Sequence, residues 1–423
     1  MGVTQQDSIA VIGAGIIGTA VALALAREGH RVLLYDRAEP GLAGASYGNV
    51  SHIAAELVQP LPSPALLFGF WRELLRFGGP LDLPLRQAVR MLPWIRRFSV
   101  AAFQRAAHTR ALAPLVQPAA GTWERWLREI GRPEILRRHG HYEIGFGERS
   151  ARVMQRQAAN MAQLGIRTAP VPASQLAALQ LAGGANTANG LWFQDSAHLS
   201  DPLAAVQAFA GAALERGSTL QRSEVRAVLA RGDALEIVTA EGAQRVSAAI
   251  VCAGMGSQAL LAPLGLHAPL QAVRGYHVEL AGQPAFIDAP LLYTHEHLLV
   301  TPLAGRLRAS SYMEFADSDA PADANKPTQL RHRLRALGYQ CAPDGPSWVG
   351  SRPILPDYLP GIGRAPGPTR LFYAVGHQHI GLTMAPVTGD LIADLVAERT
   401  PRHPVAAFDL RRFGKTSTGP PAV

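Results

Sequence analysis

Near its start the chain runs Ile9-Ala-Val-Ile12, then Gly13-Ala-Gly15-Ile-Ile17-Gly18, then an apolar stretch to Glu28, then Gly29, Arg31 to Tyr35 and Asp36. This order admits few folds. A buried strand, a tight glycine turn, a helix over about Ile16–Glu28 and a second strand over Arg31–Tyr35 make a βαβ unit. Gly13 permits the sharp turn, Gly15 lets backbone approach a pyrophosphate, and Gly18 lets helix and strand pack closely. The helix N-terminus turns unpaired N–H groups and a partial positive charge towards the phosphates. Asp36, 18 residues beyond Gly18, suits a ribose with a free 2′-OH. Ile17 inside the turn and Arg37 after the acid complete the expected contacts. The same stretch, Ile9 to Ala26, is 18 residues without a charge, close to the length of a membrane span. Its spaced glycines, and a preceding MGVTQQD with Asp7 and no Lys or Arg, argue for a βαβ start over an anchor or secretory leader.

The motif alone does not separate NAD from FAD; the rest of the chain does. A small polar loop, Gly44 to His52, follows and carries Ser46 and Asn49. Much later an apolar strand, Ala248 to Cys252, closes on Ala253-Gly254. Another glycine loop, Gly376-His377-Gln-His379-Ile-Gly381-Leu382-Thr383, leads into a helical stretch. Phosphate contacts near residue 15 combined with loop contacts near residue 380 favour a flavin dinucleotide.

From these blocks the sequence resembles the FAD-dependent D-amino-acid oxidase superfamily, most closely its bacterial D-amino-acid dehydrogenase branch, which includes D-hydroxyproline dehydrogenases. The likeness runs nearly end to end. It is carried by VIGAGIIG with Asp36, SYGNVSHIA at 46–54, AAIVCAG at 248–254, RGYHVEL at 274–280, GRLRAS at 305–310, SRPILPDYLPGIG at 351–363 and GHQHIGLTMAPVTGDLIADL at 376–395. The resemblance implies a mixed α/β fold: a Rossmann-like FAD-binding domain assembled from discontinuous segments, with an antiparallel-sheet substrate domain. The expected segments are 1–110, 195–270 and 345–423 for the FAD domain, and 111–194 and 271–344 for the substrate domain. The resemblance also puts an adenine contact at Val225, and a carboxylate-binding arginine at Arg352 in Ser351-Arg-Pro353. A guanidinium grips a carboxylate with two parallel hydrogen bonds, as a lysine does not.

Such chemistry needs little acid–base apparatus, because the Cα hydrogen leaves as hydride to flavin N5 and the site chiefly orients the substrate. His52, His377 and His379 sit in the two flavin-proximal loops, so at least one is expected to line the pocket. Related glycine-oxidising enzymes carry a second arginine where this chain has His379, which argues against carrying over their specificity. Tyr276 and Tyr312 are candidate pocket walls or hydroxyl donors, and each could equally be a core aromatic. Glu314 and Asp357 look structural. Cys252 and Cys341 fall away from any covalent flavin position and cannot build a disulfide framework or a zinc site. FAD is therefore expected to be non-covalent. No metal-ligand spacing and no serine-nucleophile elbow appear.

Composition sets the remaining bounds. At 423 residues, 48% apolar and 17% charged, the chain suits two domains and excludes a disordered polymer. The balance of 40 basic against 32 acidic residues gives +8, but only Lys326 and Lys415 are lysines. That arginine skew reflects coding bias, and no nucleic-acid partner is expected. The segment 65–110 holds eight arginines against Glu73 and Asp82, a local excess of +6. Leu67, Phe70, Trp71 and Leu74 share one helical face, and Val89, Leu92, Ile95 and Phe98 another. Two readings stand: ordinary helices packed on the core, or a basic interfacial patch that touches anionic lipid or an electron-accepting partner. The resembled dehydrogenases deliver electrons to the respiratory chain, so a quinone or respiratory-chain component is a candidate acceptor. The expected location is cytoplasmic, with peripheral contact on the inner face of the cell membrane as the alternative. The functional expectation is an FAD-dependent D-amino-acid dehydrogenase acting on a cyclic imino acid such as hydroxy-D-proline. Its competitors are an O2-using glycine, sarcosine or D-amino-acid oxidase and a flavin subunit of a larger dehydrogenase.

Overall fold

The computed structural model describes residues 8–74, 79–183, 188–367 and 369–414. Arg76, Lys415, the MGVTQQD leader and the tail after Thr416 lie outside them.

A six-stranded sheet organises the nucleotide half. Its order is Thr219–Arg222, Arg31–Asp36, Ser8–Ile12, Ala248–Val251, Leu371–Val375, Gly361–Arg364. The first five run parallel and the last antiparallel. Both faces are covered, which explains why its central strands are almost wholly apolar and buried. Ile9 and Val11 point into one core with Val32, Leu34 and Ile250, while Ala10 and Ile12 point into the opposite one with Leu33, Tyr35 and Val251. The first core is closed by the helices Ile16–Arg27, Pro202–Glu215 and Gly381–Val396. The second is closed by the three-stranded sheet Ala227–Arg231, Ala234–Val238, Ala243–Val246. The turn residues Arg231-Gly-Asp233 predict a hairpin, and the structure pairs Arg231 with Ala234 across it.

The sequence pattern predicts one helix over Ala111–Ile130; the structure has two, Arg105–Val116 and Ala119–Glu129. Pro118 separates them, because it brings no N–H to continue the hydrogen-bond ladder. Trp123, Trp126 and Leu127 of the second helix are buried in the nucleotide core, so this part of 111–194 packs against the half to which the sequence did not assign it. Composition predicts a strand over Thr219–Val225, and it stops at Arg222. The polar, proline-bearing stretch Asp317–Pro327 predicts a loop, which ends early where the helix Asn325–Ala336 begins.

The second half is built on a nine-stranded, mostly antiparallel sheet. Its order is Ser347–Ile354, Gln271–Ala281, Arg306–Phe315, Leu298–Leu303, Leu291–Tyr293, His141–Phe146, Ala188–Phe193, Thr168–Pro170, with Leu81–Asp82 added beside Arg306–Phe315. Ser347–Ile354 thus belongs to this sheet rather than to the third nucleotide segment, because its backbone pairs with Gln271–Ala281 along its full length. Beyond its far end the chain returns to the nucleotide half at Leu355, which is buried in the second core.

Beneath this sheet Lys326 is 1% exposed. It donates to Asp82 at 2.6 Å and to Glu314, which also accepts from Arg274 and from the Tyr276 hydroxyl. Removing one member of a buried ionic set strands the others without a counter-charge. Lys326→Met is expected to cost about 3–5 kcal/mol, read as a lowered urea midpoint in protein that still binds flavin. An unchanged midpoint would show that the remaining Arg274 suffices.

Candidate flavin and substrate site

Sheet order brings the distant glycine loops together. Ser8–Ile12, Ala248–Val251 and Leu371–Val375 are neighbouring parallel strands. At its carboxyl end each runs into a turn with a left-handed glycine: Gly13 (φ 106°), Gly254 (φ 56°) and Gly376 (φ 66°). Ligands of open α/β sheets bind outside this edge. A Cβ on Gly18 would lie 1.7 Å from the Gly13 carbonyl oxygen, and one on Gly13 would lie 2.5 Å from the Cys252 carbonyl oxygen. Those two glycines serve the fold itself. A Cβ on Gly15 would meet only the Ser46 hydroxyl, at 3.1 Å, so the space above Gly15 is left free for a ligand. Ser46 caps the helix by accepting from Ile16 N at 3.0 Å, and Asp36 accepts from Ala14 N at 2.7 Å and from Ala38 N at 3.1 Å. These bonds hold a cradle that fits a dinucleotide pyrophosphate.

The remaining cofactor candidates surround it. Ile17 and Val225 pack partly buried on the two cores, and Arg37 is exposed beside Glu224. Cys252 is buried and Ala253 and Gly254 follow it; burial pushes the Cys252 thiol up, which keeps it protonated and unreactive. The loop Gly44–His52 is clamped by the large antiparallel sheet. Arg308 donates to the Asn49 carbonyl at 2.5 Å, and His277 Nδ1 lies 3.1 Å from the Gly48 carbonyl. Thr383 Oγ1 accepts from Ala54 N at 3.0 Å and the Leu382 carbonyl accepts from Trp123 Nε1 at 3.0 Å, which fixes the loop before the helix that opens at Gly381.

Arg352 stands apart electrostatically. Its guanidinium crosses Gly275 on the paired strand, where a Cβ would lie 2.2 Å from Nη2. Nη1 donates to the Tyr312 carbonyl at 3.3 Å. Among the described residues no carboxylate pairs with it. It is partly accessible, yet burial is the main influence on it and pulls its pKa below the ordinary guanidinium value. His379 behaves alike: its side chain is exposed, but burial first and then Arg352 lower its pKa to about 4. Both groups reach solvent yet are crowded by protein atoms, which strips part of their hydration. This part of the surface therefore presents one fixed cation and a neutral imidazole. An unpaired desolvated charge is costly unless an anion completes it.

Residues 8–395 match the family described as DAO, FAD dependent oxidoreductase. The chain belongs to the FAD-dependent oxidoreductase family. FAD is its cofactor and it is an enzyme. It is 30% identical over 428 residues to a D-amino-acid oxidase of Bradyrhizobium diazoefficiens, covering 96% of this chain and 98% of the relative. It is 28% identical to a D-amino acid dehydrogenase of Paramagnetospirillum magneticum, over 96% and 98% of the two chains. Among solved structures it superposes on the glycine oxidase of Geobacillus kaustophilus with a TM-score of 0.75 at 22% identity, over 96% and 99% of the chains.

Within this FAD-dependent oxidoreductase the other sequence candidates separate. His377 is 4% exposed and lies 3.1 Å from Thr388 Oγ1, so it anchors the last helix and is not open to a ligand. Tyr276 falls on the face of its strand opposite Gly275, and its hydroxyl donates to Glu314 at 2.9 Å. Tyr312 donates to Gln329 at 2.9 Å and offers Arg352 only its carbonyl. Both hydroxyls are thus spent in the core. Asp357 pairs with Arg412 and Glu314 with Arg274 and Lys326, so Arg274 is not free for a substrate. His52 turns to Glu56, with Nε2 3.3 Å from Oε1.

Four residues carry no signal of their role in the sequence motifs. Gly275 makes room for Arg352, a clue hidden in the Arg274-Gly-Tyr276 block. Tyr358, at φ 59°, lies with its ring 5.9 Å from that of His379; burial raises its phenol despite the nearby Arg352, so it is a neutral hydroxyl. Glu56 and His141, which meet His52, have no shared motif.

Proposed function

We propose that this enzyme oxidises a D-amino acid at its α-carbon, with Arg352 binding the substrate carboxylate. The unpaired, desolvated guanidinium of Arg352 carries this reading; the D configuration rests on the named relatives. Two parallel hydrogen bonds from one planar fork fix the carboxylate, and with it the direction in which the Cα–H bond points. The same fixed cation raises the cost of a second positive charge, so the bound ammonium is biased towards losing its proton. His379 and Tyr358, both neutral at neutral pH, border the carboxylate site without competing for it. FAD supplies the two-electron acceptor for the hydride leaving the α-carbon. The organic product is an imine, which water converts to a 2-oxo acid; a cyclic imino acid such as hydroxy-D-proline, the favoured substrate, gives a pyrroline instead. The flavin is held without a covalent bond, since Cys252 is buried and protonated.

Anaerobic titration of the yellow protein with D-amino acids, hydroxy-D-proline, glycine, sarcosine and L-enantiomers tests the reading. Bleaching by D-substrates or imino acids is expected; no bleaching by any member would overturn it. Reoxidation of the bleached protein by O2 against a quinone or dye separates oxidase from dehydrogenase, and the dehydrogenase reading expects the dye to win.

The electron acceptor bears on the 64–103 face. No helix among the described residues is long and apolar enough to cross a membrane. Yet Phe68 is 80% exposed, Leu85 81% and Phe103 70%, with Phe70, Trp71, Val89 and Leu92 also exposed. Ile95 and Phe98 instead pack on Trp94 and Tyr358, so the expected stripe splits between core and surface. Arg72, Arg86 and Arg96 are exposed among these apolar residues, whereas Arg97 is held by His267 and the Phe413 carbonyl. We assign this face to an anionic lipid surface. At about 1 kcal/mol per arginine near such a surface, replacing Arg72, Arg86 and Arg96 by Ser is expected to weaken vesicle binding about a hundredfold. Activity with a soluble dye should survive. A parent protein that ignores anionic vesicles at low salt removes the assignment.

A further inference from the structure

We propose that His52, Glu56 and His141 form a site for one divalent first-row transition-metal ion of the zinc type. All three are buried, Glu56 to 4% and His141 to 3% exposure, and the His52 side chain to 8%. One ligand atom from each lies within 4.8 Å of the others. His52 Nε2 is 3.3 Å and His141 Nδ1 3.2 Å from the same oxygen, Glu56 Oε1. Neither nitrogen has hydrogen-bond geometry towards any partner, although both are shut off from water. A buried imidazole nitrogen left in that state is costly. Around a tetrahedral zinc with ligand distances of about 2.0–2.1 Å, neighbouring ligand atoms stand about 3.3–3.4 Å apart. The two measured separations match.

The surroundings are those of a built site. The second oxygen of Glu56 accepts a hydrogen bond from the Ser196 hydroxyl at 2.5 Å, which fixes the carboxylate as outer-shell partners of metal ligands do. The rings of His52 and His141 lie 4.4 Å apart at 52°, so neither can rotate freely. Two imidazoles and one carboxylate leave a fourth position for water, and that donor set suits zinc or cobalt better than calcium or magnesium. His52 sits on the short strand paired with Ala197–Leu199, whereas His141 opens a strand of the large antiparallel sheet. A bound ion therefore ties the two sheets together and stabilises the folded chain by mass action. None of this depends on which amine is oxidised.

The test uses the yellow holoprotein. After dialysis against a chelator it is loaded with zinc chloride, desalted, and assayed for metal by mass spectrometry and for flavin by absorbance. Expected are one zinc retained per chain, a higher melting temperature with zinc, and a visible band of tetrahedral type in the difference spectrum between cobalt-loaded and zinc-loaded holoprotein. Glu56→Gln, which keeps the shape, and His141→Ala should each bind zinc at least about tenfold more weakly while keeping flavin. If neither variant folds, the cobalt spectrum of the parent decides. No retained zinc and no cobalt band in the parent, or equal retention in flavin-bound His141→Ala, overturns the proposal. Since the flavin spectrum is read separately, failure here leaves the substrate reading intact.

Discussion

Gly15→Val is expected to yield a folded protein that is colourless. The reason lies in the contrast between three glycines of one turn. Side chains at Gly13 or Gly18 collide with backbone, at 2.5 Å and 1.7 Å, so replacing either disturbs the strand–helix junction whether or not a cofactor is present. Gly15 has an ordinary φ of −72°, and its Cβ would meet nothing in the chain closer than Ser46 Oγ at 3.1 Å. Valine there projects into the space of the pyrophosphate. Each charge-assisted hydrogen bond between the helix N-terminus and a phosphate oxygen is worth about 1.5–3 kcal/mol. Affinity for FAD should therefore fall by about tenfold or more for each such bond that valine prevents. Flavin content and circular dichroism measured together check this. A yellow Gly15→Val protein would place the pyrophosphate elsewhere, and an unfolded one would mean that the turn tolerates no side chain at all.

Arg352→Ala is expected to keep its flavin and to reduce kcat/KM by at least about tenfold, from an interaction worth roughly 1.5–3 kcal/mol. Misalignment of the Cα hydrogen adds to the defect. Arg352→Lys keeps the charge but not the two-pronged geometry and should fall between Ala and the parent. Gly275→Ala reaches the same site from behind, because its methyl would lie 2.2 Å from Arg352 Nη2. It should displace the guanidinium and reproduce much of the Lys defect without touching substrate. An amine lacking a carboxylate should be nearly indifferent to all three changes. Unaltered oxidation of D-amino acids by Arg352→Ala would make this arginine structural, with His379 the next carboxylate partner to test.

Local sequence determined what local forces decide. The glycine turn, its strand and helix are readable because backbone clearance within a few residues demands glycine there, and the helix ends at Gly29, whose φ is 82°. The strand His141–Phe146 has the bounds its composition suggests. The breaks at Pro118 and before Asn325 differ from expectation because propensity along the chain does not register what each turn packs against. The glycine loops at 252–254 and 376–383 were recognisable as motifs. That they meet is a property of sheet order, which sets three parallel strands side by side across more than three hundred residues. The sorting of side chains was decided only by tertiary structure. Tyr276 and Gly275 are neighbours in sequence, but strand alternation gives one to the Glu314 network and the other to Arg352. His377 and His379 are two apart, yet one is buried against Thr388 and the other is exposed beside Tyr358. His52 and Glu56 lie only four residues apart, but His141 reaches them through packing that closes between separate sheets, which no local spacing displays. Burial, which leaves Arg352 without a counter-ion and brings two histidines to one carboxylate, comes from atoms far along the chain, and no window of sequence contains them.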